Sequence, residues 1–154
     1  MLIPYSRLPN NSKVFIYQSN REISEEELLV IIRNIDDFAQ NWVTHGKPVR
    51  NAFKVFNYFL CIFIDESSYQ TSGCSLDSLV GLIKSIGTRF DIDFFNRNNI
   101  AYLDKMQTKL IAINDFKFMI QPDMMVFNNL VTTKVEFENQ WKIPVKESWL
   151  KRYL

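Results

Sequence analysis

The apolar segment from residue 53 to residue 66 is the feature that most constrains how this chain can fold. It is too long and too apolar to be a single amphipathic strand, and Asn57 and Tyr58 interrupt it where a tight turn would fit. The pattern predicts a β-hairpin with strands over residues 53–56 and 59–64. The segments on either side of this hairpin indicate which fold it belongs to.

An amphipathic helix is predicted before the hairpin. Ser24 and Glu27 have the spacing of a capping box, in which each side chain bonds to the other residue's backbone amide. Apolar residues then recur at the helical period, at Leu28, Leu29, Ile31, Ile32, Ile35, Phe38, Ala39 and Trp42. We expect this helix to end near Thr44, with Gly46 as a left-handed stop and Pro48 just beyond it.

A second helix is predicted after the hairpin, beyond a loop over residues 67–73. Its inner face carries Leu76, Leu79, Val80, Leu82, Ile83, Ile86 and Phe90. Residues 13–18 and 100–103, rich in β-branched and aromatic side chains, read as the first and last strands. The order strand, helix, hairpin, helix, strand predicts an α+β fold with a ferredoxin-like split βαββαβ core, in which both helices cover one face of an antiparallel sheet.

The last fifty or so residues read as a C-terminal extension of this core. A strand over residues 109–113, a short helix over 115–120 and a helix from Thr133 to Trp141 that stops before Pro144 are expected there. No repeat or linker is visible. The chain of 154 residues therefore reads as a single domain, with a core at about 13–104 and an extension at about 105–154.

Charge and targeting signals argue against nucleic-acid and membrane partners. The chain has eighteen basic and seventeen acidic residues, so its net charge is close to zero. The small C-terminal basic group of Lys142, Lys146, Lys151 and Arg152 reads as a solvated surface. No signal-peptide pattern or membrane-spanning apolar run is present. The two cysteines fit a reducing compartment, so we expect a cytoplasmic protein without disulfides.

The scarcity of glycine, histidine and cysteine excludes several kinds of site. A phosphate-binding loop needs a Gly-rich stretch ending in Gly-Lys-Ser/Thr, but Gly46-Lys47 is followed by Pro48, and Asn41 stands where the first glycine should be. One histidine and two separated cysteines cannot supply a zinc site. Asp91 and Asp93 read as surface residues. No metal and no cofactor are therefore predicted.

One group of residues remains as a candidate site. Ser72, Gly73, Cys74, Ser75 and Asp77 stand where the second helix begins, so a thiolate or a bound anion there would be favoured by free amides and the helix dipole. In the predicted topology, the end of the first helix lies at the same edge as the start of the second. His45 and Gly46 are then expected beside Cys74.

Three interpretations of this edge stay open. It binds a small ligand or a protein partner; or Cys74 is the nucleophile and His45 the base of a thiol-dependent enzyme; or the segment is a turn and a helix cap, with His45 favoured only by a helix end. Cys61, inside an apolar strand, reads as a core residue. The aromatic C-terminal segment around Trp141, Ile143 and Trp149 suggests in addition that the protein forms a homodimer.

The chain resembles a family of short, uncharacterised Bacteroidetes proteins that are often labelled "ABC transporter ATPase". The resemblance covers nearly the whole chain and is carried by Phe15-Ile16-Tyr17-Gln18, Trp42 with His45-Gly46, residues 72–77, Phe127-Asn128-Asn129, residues 141–144 and Ser148-Trp149. It implies that the His-Gly and Ser-Gly-Cys-Ser segments are features of the group. The ATPase label does not fit this sequence, because a transporter ATPase needs a phosphate-binding loop.

Overall fold

The computed structural model describes residues 1–154 and shows a mixed α+β protein with antiparallel sheets, as predicted. Its helices are α1 (Glu25–Asn41), α2 (Gly73–Phe90), α3 (Ile113–Met119) and α4 (Lys134–Gln140). Its strands are β1 (Lys13–Gln18), β2 (Val43–Thr44), β3 (Lys47–Pro48), β4 (Arg50–Val55), β5 (Phe59–Asp65), β6 (Asn99–Asp104), β7 (Gln107–Ala112), β8 (Met125–Phe127) and β9 (Lys142–Pro144). Short 3-10 turns occur at Tyr5–Arg7, Val145–Glu147 and Trp149–Tyr153.

The predicted hairpin is confirmed as β4 and β5, and β5 is the central strand of a three-stranded antiparallel sheet with the order β1-β5-β4. Phe56 and Phe59 exchange backbone hydrogen bonds of 2.8 and 3.3 Å around the turn at Asn57 and Tyr58. This pairing fixes the register, so that Val55 lies opposite Leu60.

Both faces of β5 are covered, which explains why its sequence is continuously apolar rather than alternating. On one face, Leu60, Ile62 and Ile64 pack in a core with the inner residues of α1 and α2. On the other face, Phe59, Cys61 and Phe63 pack against residues of the C-terminal segment. The sheet is therefore the middle layer of three.

The helix α1 begins with the predicted capping box: the Ser24 hydroxyl accepts a hydrogen bond from the Glu27 amide, and the Glu27 carboxylate accepts one from the Ser24 amide. Ile31 and Ile35 are buried at its centre. Leu29 and Ile32, expected on the inner face, are 61% and 39% exposed. At about 100° per residue, they are rotated roughly 200° and 100° from Ile31, outside the arc that meets the sheet.

The predicted fourth strand does not join the first sheet. It forms β6, at the centre of a second antiparallel sheet with the order β7-β6-β8-β9, so the complete four-stranded ferredoxin-like arrangement is not formed. One local and one long-range interaction favour this arrangement. β6 pairs along its whole length with β7, its neighbour in the chain, and the free edge of β1 is partly taken by Thr132, whose carbonyl accepts a 3.0 Å hydrogen bond from the Val14 amide.

The remaining C-terminal elements occur close to their predicted positions, as β7, α3 and α4, and Thr133 caps α4 by accepting a hydrogen bond from the Glu136 amide. Aromatic rings bind this region to the first sheet: Phe127 lies 4.7 Å from Phe59, and Phe137 lies 5.0 Å from Phe63, measured between ring centroids. These contacts form the second apolar core, on the face of β5 away from the helices. None of the helices has the length and apolar character needed to cross a bilayer.

The start of α1 is tied to the end of α2 by Arg21. Its guanidinium forms two parallel hydrogen bonds of 2.9 and 2.8 Å with the Glu27 carboxylate and also donates to the Phe90 carbonyl. The hydrogen bonds from Arg21 and from the Ser24 amide lower the pKa of Glu27 to about 2. One carboxylate therefore serves both as a helix cap and as an ion-pair partner.

We expect Glu27→Ala to lower the free energy of unfolding by about 1–2 kcal/mol, because it removes the cap and the ion pair together. Glu27→Gln keeps an acceptor for the Ser24 amide and should cost less. Because folding lowers the pKa of Glu27, its contribution is complete above about pH 4.5 and is lost as the pH falls towards 2. Urea unfolding at about pH 7 and about pH 3 measures this, with the exposed Glu25→Ala as control; a Glu27→Ala variant as acid-sensitive as the wild type would contradict it.

Candidate functional site

The chain leaves α1 earlier than expected and forms a short hairpin. The helix ends at Asn41, and Trp42 adopts an extended conformation that turns the chain into β2. β2 and β3 pair across a two-residue turn in which His45 and Gly46 have φ angles of 49° and 75°. Such turns require positive φ at both positions. Gly46 is therefore a hairpin-turn residue and not the stop of α1, which corrects the sequence prediction.

The start of α2 is fixed by a serine cap. The Ser72 hydroxyl accepts a 3.1 Å hydrogen bond from the Ser75 amide, and Gly73 and Cys74 form the first two helical positions. The amides of these two residues have no acceptor within the protein, as is usual in the first turn of a helix. They lie at the positive end of the dipole of an 18-residue helix.

Hydrogen bonds bind the β2 strand to this first turn. The Ser75 hydroxyl donates to the Val43 carbonyl over 2.7 Å, and the Ser72 amide donates to the Thr44 hydroxyl over 2.9 Å. The Trp42 indole donates to the Ser75 carbonyl over 3.0 Å. We call these five residues the hairpin–helix joint; Trp42, Thr44 and Ser75 are buried in it.

The joint brings the two predicted segments to one edge of the molecule. His45 and Gly46 follow Thr44 on the hairpin, and Gly73 follows Ser72 on the helix. His45, Gly46, Gly73, Cys74 and Asp77 are all exposed there, whereas Ser72 and Ser75 use their hydroxyls within the joint. No hydrogen bond joins Cys74 to His45 or to Asp77. The edge therefore offers solvent-facing side chains and two free amides.

The two cysteines differ in environment. Cys61 is fully buried in β5, and burial raises the pKa of its thiol well above the ordinary value. Cys74 is exposed on the first turn of α2. Only Cys74 is accessible to a ligand or a reagent in the folded protein.

The aromatic C-terminal residues are divided between core and surface. Trp141 is buried, stacks on Phe137 at a centroid distance of 4.6 Å and donates a 2.9 Å hydrogen bond to the Asn129 side chain. Ile143 is half-buried, and Trp149 is 39% exposed. Trp141 therefore belongs to the second core, and of the three predicted interface residues Trp149 is the most exposed.

Sequence reasoning missed the residues that hold the edge together. In the sequence prediction, Trp42 lies on the apolar face of the first helix, the helix ends near Thr44, and Val43 has no role. A signal for the hairpin was present, because a His-Gly pair between Val43-Thr44 and Lys47 matches a tight turn in which both residues need positive φ. No group of three or more His, Cys, Asp or Glu residues lies close enough together to hold a metal ion.

Comparison of this chain with protein-family models, with curated proteins and with solved structures gives no match in any of the three. The residues of the edge and their contacts are therefore the basis for assigning a function.

The hairpin–helix joint leads to a prediction for Ser75→Ala. This change removes the donor to the partly buried Val43 carbonyl, so the free energy of unfolding should fall by about 0.5–1.5 kcal/mol, the usual net value of one hydrogen bond. Ser78→Ala is the matched control, because the Ser78 hydroxyl lies exposed on the same helix; it should change stability by less than about 0.5 kcal/mol. Chemical denaturation of the two variants measures this difference. Equal free energies of unfolding would mean that the hairpin–helix joint does not stabilise the fold.

Proposed function

We propose that this protein is a binding protein that recognises its partner through the edge formed by His45-Gly46 and residues 72–77, and that it is not an ATPase. The observation that carries the proposal is the hairpin–helix joint, which holds two exposed segments from distant parts of the chain in a fixed relation. Preformed geometry of this kind reduces the entropy lost on binding. The ATPase label has no support in the sequence, which lacks a phosphate-binding loop.

A protein partner suits this edge better than a small molecule does. The Ser72 and Ser75 hydroxyls are occupied within the joint, and the exposed groups lie on a hairpin turn and on the outside of a helix. Cavities of about 330 and 60 Å³ are lined by residues of other segments. A carboxylate on the partner would find donors in the free amides of Gly73 and Cys74.

Site-specific photocrosslinking tests the proposal. Cys74 is exposed and Cys61 is buried, so a benzophenone maleimide will attach to Cys74 in the folded wild-type protein. The matched control carries Cys74→Ser and Lys151→Cys, which moves the label to an exposed position on the C-terminal turn. The purified protein is labelled first and is then irradiated in a lysate of the source organism. We expect a discrete crosslinked species from position 74 and not from position 151.

A second variant removes the geometry and keeps the label. Ser75→Ala disrupts the joint, so the yield of the crosslinked species from Cys74 should fall while labelling remains complete. The same adducts from both labelled positions, or no adduct from Cys74, would refute recognition at this edge. The homodimer stays a prediction, which sedimentation of the purified protein tests. The resemblance to the Bacteroidetes family also stays a prediction.

The alternative function is a thiol-dependent enzyme with Cys74 as nucleophile and His45 as base. The exposure of Cys74 in the first turn of a long helix favours this alternative, because the sulfur is open to a substrate and lies beside the free amides of that turn. Iodoacetamide labelling of wild-type protein and of His45→Asn separates the two functions, since asparagine tolerates the positive φ of position 45 and preserves the turn. If the protein is a thiol-dependent enzyme, His45→Asn should slow the alkylation of Cys74 by about tenfold at neutral pH. If it is a binding protein, the two alkylation rates should be equal.

A further inference from the structure

A concave pocket lies near the end of α2, away from the proposed binding edge. It has a volume of about 330 Å³ and is formed by one side of the helix and by the segment that follows it. The residues that line it are Ile83, Lys84, Gly87, Thr88, Ile92, Asp93, Phe94 and Phe95. This volume is within the range of small-molecule sites, roughly 300–1,000 Å³.

The floor of the pocket is apolar and its walls are held in place. Ile83, Ile92 and Phe94 are buried and form the floor. The segment after the helix crosses α2 at Gly87, where a Cβ atom would stand 2.5 Å from the Ile92 carbonyl oxygen, and the Ile92 amide donates to the Gly87 carbonyl over 2.9 Å. The Asp93 amide is held by the Asn20 side chain over 2.9 Å. The pocket is therefore preformed.

The rim carries two opposite charges, and no ion pair joins them. The Lys84 ammonium is in none of the six salt bridges of the protein and lies 5.9 Å from the centroid of the Phe95 ring. One oxygen of Asp93 accepts a 2.9 Å hydrogen bond from the Phe95 amide, which leaves the other oxygen free. Phe95 is in turn packed edge-on against Tyr17, with ring centroids 5.7 Å apart.

We propose that this pocket binds a small zwitterion with an apolar side chain, that is, a free α-amino acid of the leucine or phenylalanine type. Its carboxylate pairs with the Lys84 ammonium, its ammonium group pairs with the free oxygen of Asp93, and its side chain covers Ile92 and Phe94. This arrangement uses each unpaired charge and the apolar floor at once. The proposal does not depend on the function of the edge at the other end of α2.

Titration of ¹⁵N-labelled protein followed by NMR tests the proposal, with L-leucine and L-phenylalanine as probes. We expect saturable shifts of amide signals within residues 83–95, with a dissociation constant in the low millimolar range or below, as the best contacts of about ten heavy atoms allow. 3-Phenylpropanoate and phenethylamine each lack one charge of phenylalanine. Each should bind at least about tenfold more weakly, because a hydrogen bond to a charged group is lost.

Variants assign the binding to the two charges. Lys84→Gln should weaken the binding of L-phenylalanine about tenfold, so that phenethylamine binds as well as the amino acid. Asp93→Asn keeps the acceptor for the Phe95 amide. It should also weaken the binding of L-phenylalanine about tenfold, so that 3-phenylpropanoate binds as well as the amino acid. Lys151→Gln and Asp37→Asn are exposed charge controls outside the pocket and should leave binding unchanged. The absence of saturable shifts, shifts at residues 72–77 instead, or equal binding of the singly charged analogues would overturn the proposal.

Discussion

The burial of β5 on both faces is the constraint on which the rest of this structure depends. Every residue from Phe59 to Ile64 is buried, and each large side chain removed from water is worth about 1.5–3 kcal/mol. A strand with two apolar faces needs two covering layers. The helices α1 and α2 supply one, and the aromatic residues of the C-terminal segment supply the other. The C-terminal segment is therefore part of the core, which also accounts for much of the aromatic content of the chain.

Local patterns predicted most of the elements, because their causes are local. The turn at Asn57 and Tyr58, the capping box of Ser24 and Glu27 and the Thr133 cap act over a few residues, and each is present. The position of β6 depends instead on a choice between distant partners. The sequence pattern of β6 is compatible with either sheet, and nothing in it shows that Thr132 would pair with the edge of β1. The predicted sheet topology is wrong because of the pairing of this one strand.

The candidate site also combines features that the sequence predicts with features that it does not. The order of the elements predicts that the end of α1 and the start of α2 meet at one edge. The hydrogen bond between Thr44 and Ser72 joins these two segments in the structure. Sequence reasoning could not show that the Ser72 and Ser75 hydroxyls are bonded within the protein. The Ser72 hydroxyl donates to the Ser75 hydroxyl, which in turn donates to the carbonyl of Val43, a residue 32 positions earlier in the chain. Two predicted ligand-binding side chains thus hold the edge in place, while the exposed groups are their neighbours.

The two ends of α2 offer different chemistry because a helix ends differently at each terminus. Its first turn keeps two free amides, which suit an anionic group on a partner. At its last turn, Asp91, in the left-handed conformation, and Ile92 both donate to the Gly87 carbonyl, and Arg21 donates to the Phe90 carbonyl. The binding proposed at that end therefore depends on the side chains of the pocket rather than on free backbone amides. Since Leu79, Ile83 and Ile86 are buried on the helix between the two ends, both proposed sites are built on one rigid element.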